Sequence, residues 1–336
     1  MYKYRLCCLA LDIRIEPWGP VLVKSPKEGS VDPAIPDMSF VRTHSPHPEG
    51  PRETVYLPGS SLKGVFRSYC EGISRAVGLP VCNPFDEKSP CRKEEKENPY
   101  KESCHICRLF GSTQLGGRIS ISDAYPTKET IEKANKTNNR TGVGIDRLLG
   151  SSLSGALYDY EVVERGSFQA HIRLENFELW QVGLLALALR ALDAGHLRIG
   201  HGTSRGMGFV KVSTHQAEVR YTGLTVDEER SFRNRAGEFP LLDDKGECLL
   251  YGVAELLPEK EAEAYGMSRG DSVHVAGVVP DSVGLEVSVM LKKEKADSPP
   301  NGALEQFFGE CVKRFSQEAD PKKAGRQRLM SLQPRG

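Results

Sequence analysis

Four cysteines, Cys82, Cys91, Cys104 and Cys107, stand in the spacing C-x8-C-x12-C-x2-C. Four thiolates meet the demand of tetrahedral Zn2+, and a C-x2-C pair is a chelating knuckle. The residues between them are largely Pro, Lys and Glu and build no core of their own, so a bound ion would supply the folding energy this segment lacks. All four ligands come from the chain and no position is left open, which points to a structural ion rather than a catalytic one. His105 could replace one cysteine, although it sits inside the knuckle. The alternative is four free thiols with no common task.

Three further stretches suit phosphate. Leu57-Pro58-Gly59-Ser60-Ser61-Leu62-Lys63-Gly64-Val65-Phe66-Arg67 puts Gly-Ser-Ser at a helix start, capped by Ser60 or Ser61, where free N–H groups and the helix dipole attract an anion. Lys63 and Arg67 lie one turn apart and can face the same anion. The P-loop spacing is missing, so nucleotide hydrolysis is not supported. Read alone, the segment is equally a plain capped helix with two exposed cations. In Gly200-His201-Gly202-Thr203-Ser204-Arg205-Gly206-Met207-Gly208, Gly200, Gly202 and Gly206 let the backbone approach a ligand, and Arg205 offers a guanidinium fork. It could also be only a helix-to-strand connection. Arg140-Thr141-Gly142-Val143-Gly144-Ile145-Asp146-Arg147 lies in a segment too poor in apolar residues to pack alone. It reads either as a hairpin that wedges against nucleic acid or as a disordered surface loop.

The elements that must position these residues follow from hydrophobic period. Leu9, Leu11, Ile13 and Ile15 alternate with polar or small residues and predict a strand. A helix from Ser60 or Ser61 to about Val77 carries Val65, Tyr69 and Ile73 at helical spacing. Arg118 to Tyr125 and Phe168 to Leu174 alternate again. Glu178 to Ala194 is a nearly all-apolar helix, and Phe209 to Val219 closes as a strand. The order strand, helix, strand, strand, helix, strand predicts an α+β, ferredoxin-like (RRM-like) core over residues 1–219. Its insertions are a loop at 17–57, the cysteine segment at 80–110 and an excursion at 126–160. Residues 220–316 predict an α/β extension, with strands near Cys248–Leu256, Ser272–Val279 and Leu285–Leu291. A helix follows with Leu304, Phe307, Phe308, Cys311, Val312 and Phe315 on one stripe. Residues 317–336 read as a basic flexible tail.

The 336 residues carry 45 basic and 45 acidic side chains, so the global basic excess of many nucleic-acid binders is absent. Any RNA contact must come from local placement of Lys and Arg. The first residues lack the pattern of a signal peptide, and no run is long enough to span a membrane. The expectation is a cytoplasmic protein with reduced cysteines.

Together these motifs resemble the RAMP superfamily of CRISPR-associated proteins, most closely the backbone subunit of type III and related class 1 effector complexes. The resemblance runs over nearly all of residues 1–215. It is carried by Leu57 to Gly64 with Arg67, Cys107-Arg108-Leu109-Phe110-Gly111-Ser112, Ile121-Ser122-Asp123-Ala124, Gly144-Ile145-Asp146-Arg147 and Gly200 to Gly208. It implies subunits stacked in further copies along a guide crRNA that pairs with target RNA, beside other effector subunits. Ser60, Ser61, Lys63 and Arg67 would hold guide backbone. The excursion with Arg140 and Arg147 would be a thumb that kinks the duplex, and the loop with Gly200, Gly202, Arg205 and Gly206 would line the RNA groove.

Such subunits often cut target RNA through a loop aspartate before the Gly-Ser-Ser helix. In Ser30-Val31-Asp32-Pro33-Ala34-Ile35-Pro36-Asp37, Asp32 is the best match and Asp37 the second. Cleavage would be attack by the target's own 2′-hydroxyl with Mg2+ or Mn2+; alternatively Asp32 is a turn residue before Pro33. Two rival functions remain: a non-catalytic scaffold with a separate nuclease, and a repeat-processing endoribonuclease. The last requires a histidine for acid–base work, for which His44, His47 and His201 are candidates without a convincing constellation.

Overall fold

The alternation of Cys7–Pro17 is realised as strand β1, with Leu9, Leu11, Ile13 and Ile15 buried and Asp12, Arg14 and Glu16 exposed. A computed structural model describes residues 3–25, 36–48, 50–83, 86, 89–92, 96–227, 230–293 and 302–319. After β1 come helix α1 (Gly59–Ala76), helix α2 (His105–Phe110) and strands β2 (Ile119–Ile121) and β3 (Tyr125–Pro126). Strands β4 (Asn138–Ile145) and β5 (Ser152–Val162) pair as a hairpin, followed by β6 (Phe168–Glu175), helix α3 (Leu179–Asp193) and β7 (Val210–Thr222). The last described elements are β8 (Pro280–Val283), β9 (Glu286–Lys292) and helix α4 (Ala303–Glu318).

The main sheet has seven strands in the order β8-β9-β7-β1-β6-β2, with β3 also on β6. Every pairing is antiparallel, including β1 with β6 and with β7. The protein is therefore mixed α+β with an antiparallel sheet. β1 and β2 run parallel with β6 between them, a split βαβ unit.

Two helices differ in detail from their sequence expectation. On α1, Leu62, Phe66, Cys70 and Ser74 are buried, while Val65, Tyr69 and Ile73 only flank the core. The stripe is turned by one residue because the helix rests on β2 and α3 together. Neither Ser60 nor Ser61 caps it; Pro58 holds that place and Gly59 is the first helical residue. At the other end Gly78, at φ +80°, closes the helix in the left-handed region. Helix α3 starts with a capping box, Glu178 with Gln181. Its apolar character all round is explained by a second partner. One side faces the sheet and the other packs on α4, which buries Leu304, Phe307, Cys311 and Phe315. Residues beyond 219 thus continue the same layers, since β9 pairs with β7 over Thr222 to Gln216. No described helix is long and apolar enough to cross a membrane.

Gly183 is where α3 and α4 touch most closely: a Cβ there would lie 2.1 Å from the carbonyl oxygen of Cys311. Gly183→Ala is expected to push the helices apart and cost about 3 kcal/mol, the upper part of the range for overpacking. Urea unfolding checks this, and an unchanged midpoint contradicts it.

Candidate nucleic-acid interface and metal centre

The excursions meet at one end of the sheet. Ile15, Phe168 and Val210, from the adjoining ends of β1, β6 and β7, line a narrow apolar seam with Val21, Phe40, Leu57, Val163 and Ile199. Val21 and Phe40 belong to the loop after β1, Leu57 precedes α1, Val163 leaves β5, and Ile199 opens the glycine-rich loop. Motifs far apart in sequence are fastened to the same seam.

Polar contacts complete this end. Arg205 Nη1 donates to Tyr158 Oη on β5 at 2.7 Å, and its Nη2 lies 3.0 Å from His201 Nε2. The His201 N–H donates to the Leu22 carbonyl at 2.7 Å. That contact needs Gly200, at φ +79°, because a Cβ there would lie 2.2 Å from the Leu22 oxygen. Gly202 and Gly206 bracket the short turn Thr203–Arg205. Asp37 accepts from the Asp159 N–H at 2.9 Å, which engages the second catalytic candidate with β5. Asp32, the first, lies outside the described residues. On the β4–β5 hairpin Arg140 pairs with Glu164 at 2.5 Å. Arg147 is exposed at the tip, where Asp146 caps the turn by accepting from the Leu148 and Leu149 N–H groups. Leu148, Leu149 and Ile145 are exposed there too.

The hairpin's base rests on a residue that no motif or period singled out. The buried Glu161 accepts from Arg42 at 2.5 and 2.9 Å, from the Phe40 N–H at 2.8 Å and from Thr137 at 2.6 Å. Burial opposes its ionisation, but the bonds from Arg42, Thr137 and Phe40 outweigh it and hold the carboxyl below the usual range.

The start of α1 is partly occupied by the chain itself. Asp123 accepts from the Gly59 N–H at 2.7 Å, and a Cβ on Gly59 would lie 2.3 Å from the Ile121 oxygen. Ser60 is exposed and Ser61 half-buried. Lys63 and Arg67 do not face one common anion. Lys63 donates to the Ile119 carbonyl at 3.0 Å, and burial together with the nearby Arg67 cation lowers its pKa. Arg67 donates to Glu71 at 3.0 Å, to the Gly111 carbonyl at 3.1 Å and to Cys107 Sγ at 3.7 Å.

The four cysteines converge, their Sγ atoms all within 4.8 Å of one another and Cys82 and Cys107 3.4 Å apart. A disulfide would need about 2.05 Å. Tetrahedral Zn–S bonds of about 2.3 Å separate the sulfurs by roughly 3.8 Å, so the cage has the size for such an ion. The Cys104 N–H donates to Cys91 Sγ at 3.3 Å and the Cys107 N–H to Cys104 Sγ at 3.5 Å. Hydrogen bonds from Cys107, Cys82 and Cys91 hold the Cys104 thiol well below its usual range, while the bond to Cys104 pushes Cys82 and Cys107 up. His105 is not a fifth ligand: its ring meets Trp180 edge-on at 5.2 Å, and burial pulls it down to about 3. A cavity of about 480 Å³ opens beside the cage, walled in part by Arg67, Arg92 and Ser112.

With these motifs assembled, the comparison of families is decisive. The RAMP superfamily model matches residues 20–211, more than half of the chain. The chain belongs to the RAMP superfamily. No curated protein matches it. In this RAMP protein no described ion pair joins any of the three histidine candidates to an acid. His44 is exposed, His47 Nε2 lies 3.1 Å from the Pro126 oxygen, and His201 meets Arg205. The described His–Asp pairs are instead His171 with Asp12 at 2.5 Å and His274 with Asp243 at 3.0 Å. His171 was legible as the residue opposite Asp12 on adjacent strands only once the register was known.

A depressed carboxyl pKa contributes stability above the ordinary value of about 4.3, and that contribution is lost as pH falls through the folded value. Glu161→Gln is therefore expected to cost roughly 2 kcal/mol at neutral pH, as for other bonds to a charged group. The gap from wild type should hold through neutral pH and narrow only as pH falls below about 4.3, read from urea midpoints. A gap independent of pH would show that the charge of Glu161 is not what holds the hairpin.

Proposed function

We propose that this protein is a guide-RNA-binding backbone subunit of a type III-like, class 1 CRISPR effector complex. Membership of the RAMP superfamily supports an RNA-binding role beside other CRISPR subunits. The observation that carries the reading is the convergence of Arg205 with Tyr158 of the β4–β5 hairpin, next to the loop that holds Asp37. Three motifs that would touch one RNA strand lie at one end of one sheet.

In this reading residues 1–219 form a ferredoxin-like, RRM-like core, which the split βαβ order supports. Residues 220–316 are its extension and 317–336 a basic tail. Ser60, Ser61 and Lys63 hold guide backbone at the start of α1. Gly200, Gly202, Arg205 and Gly206 line the groove, and the thumb bearing Arg140 and Arg147 kinks the guide–target duplex. Sequence is read by base pairing, and the protein holds the backbone. Further copies stack along the guide in the cytoplasm. The four cysteines hold a structural Zn2+, which fixes the 80–110 insertion against α1. Target cutting, where it occurs, uses Asp32 to orient a Mg2+ or Mn2+ ion or to take the proton of the attacking 2′-hydroxyl. The ion, when bound, supplies charge stabilisation to the phosphate.

Purified chain should contain roughly one equivalent of zinc, and a chelator should unfold the cysteine insertion. Metal-free protein with an intact insertion would remove the zinc reading. Guide RNA binding should weaken with salt, and Arg205→Ala should flatten the plot of log K against log salt by about 0.7. Affinity and slope both unchanged in an Arg147→Ala, Arg205→Ala double variant would sink the interface. Asp32→Ala in the assembled complex tests the nuclease reading: target cutting that persists removes Asp32 from the mechanism, and cutting that persists in Asp37→Ala as well assigns the chemistry to another subunit.

A further inference from the structure

We infer that Arg67 belongs to the metal centre rather than to the RNA surface: it is a positioning residue that orients and charge-balances the Cys107 thiolate. The inference rests on the zinc reading above. Four thiolates around a divalent ion leave about two negative charges, which the surrounding protein must offset. Two sulfurs receive backbone N–H bonds from inside the loop, Cys91 from Cys104 and Cys104 from Cys107. Cys107 receives its bond from outside it, from Arg67 Nη2 on α1 at 3.7 Å. The rest of the guanidinium is fixed in that aim. Nη1 donates to the Gly111 carbonyl at 3.1 Å and Nε to Glu71 at 3.0 Å. Arg67 and Cys107 both line the cavity beside the cage. A guanidinium presents its donors in a rigid planar fork, whereas an ammonium is a compact point charge on a flexible stem.

This assignment changes what α1 does. Its start, with Ser60, Ser61 and Lys63, is left to face RNA, and its third turn, with Arg67, clamps the ion-bearing insertion. Loss of the metal would free Arg67 and loosen the helix that carries the RNA contacts.

The test uses full-length protein and compares wild type with Arg67→Ala and Arg67→Lys. The readouts are zinc release to a chromophoric chelator, the thiolate-to-metal absorption of Co2+-loaded protein, and the salt slope of guide RNA binding. Arg67→Ala is expected to release zinc about 10- to 100-fold faster, as loss of a group that orients a metal ligand does elsewhere. Its Co2+ absorption should shift, and its salt slope should stay at the wild-type value. Arg67→Lys should fall between, keeping the charge and losing the fork. Zinc release at the wild-type rate, with a slope reduced by about 0.7, would return Arg67 to the RNA surface. Unchanged release and unchanged slope would also overturn the inference while leaving zinc in place. Wild-type protein without metal would overturn both readings. Should Arg67→Ala not fold, Arg67→Lys and Glu71→Gln carry the same comparison, and each must speed zinc release several-fold.

Discussion

The apolar seam at the end of β1 is the constraint on which the rest of this molecule depends. Val21, Phe40 and Leu57 come from the stretch between β1 and α1, Val163 from the exit of the hairpin and Ile199 from the glycine-rich loop, and each returns one apolar side chain to the same line. Such side chains gain free energy only by leaving water together. Long polar excursions, which have no core of their own, are therefore held at their roots. Between those roots they are free to present Arg, Ser and Gly outward. Glu161 and Arg42 reinforce the arrangement with charge at the base of the hairpin.

The cysteine insertion is fastened differently, through a buried polar cluster. Tyr100 donates to Glu178, Gln181 donates to Tyr100 at 3.0 Å, and the Arg118 guanidinium lies 4.1 Å above the Tyr100 ring. Arg108 adds bonds to the carbonyls of Tyr100, Lys101 and Ser103. Buried polar groups of this kind persist only when partnered, and here the partners come from both the insertion and the start of α3. An ion held by the four cysteines and this polar cluster would act on the same segment, since Arg108 directly follows Cys107.

Much of this was legible in the residues, and the failures have physical causes. Periodicity located β1, β6, α1 and α3 because each buries one face or all faces of a regular element. The cysteine spacing pointed to a cage because a chelating knuckle is a local feature. The stretch Arg118 to Tyr125, read as one strand, is two short ones, Ile119–Ile121 and Tyr125–Pro126. Between them Ser122 and Asp123 turn aside to meet the start of α1, a tertiary demand that no local pattern encodes. Lys63 and Arg67 were read as partners because they lie one turn apart. Spacing fixes which face of a helix a side chain occupies, but not whether a carbonyl, a carboxylate or a sulfur already waits there. Glu161 gave no local signal at all, since its partners lie 24 and more residues away.

The contact of α4 with α3 carries a consequence for descent. Helix α3 is apolar on every side, and Leu179, Val182, Leu184, Leu185, Ala188 and Leu192 are buried. Once a lineage has placed a second helix over such a surface, polar substitutions beneath it are no longer tolerated, and the covering helix cannot be discarded without exposing oil to water. Related chains without residues 302–319 are then expected to differ from this one most at α3 itself, where charged side chains must stand in for the missing helix.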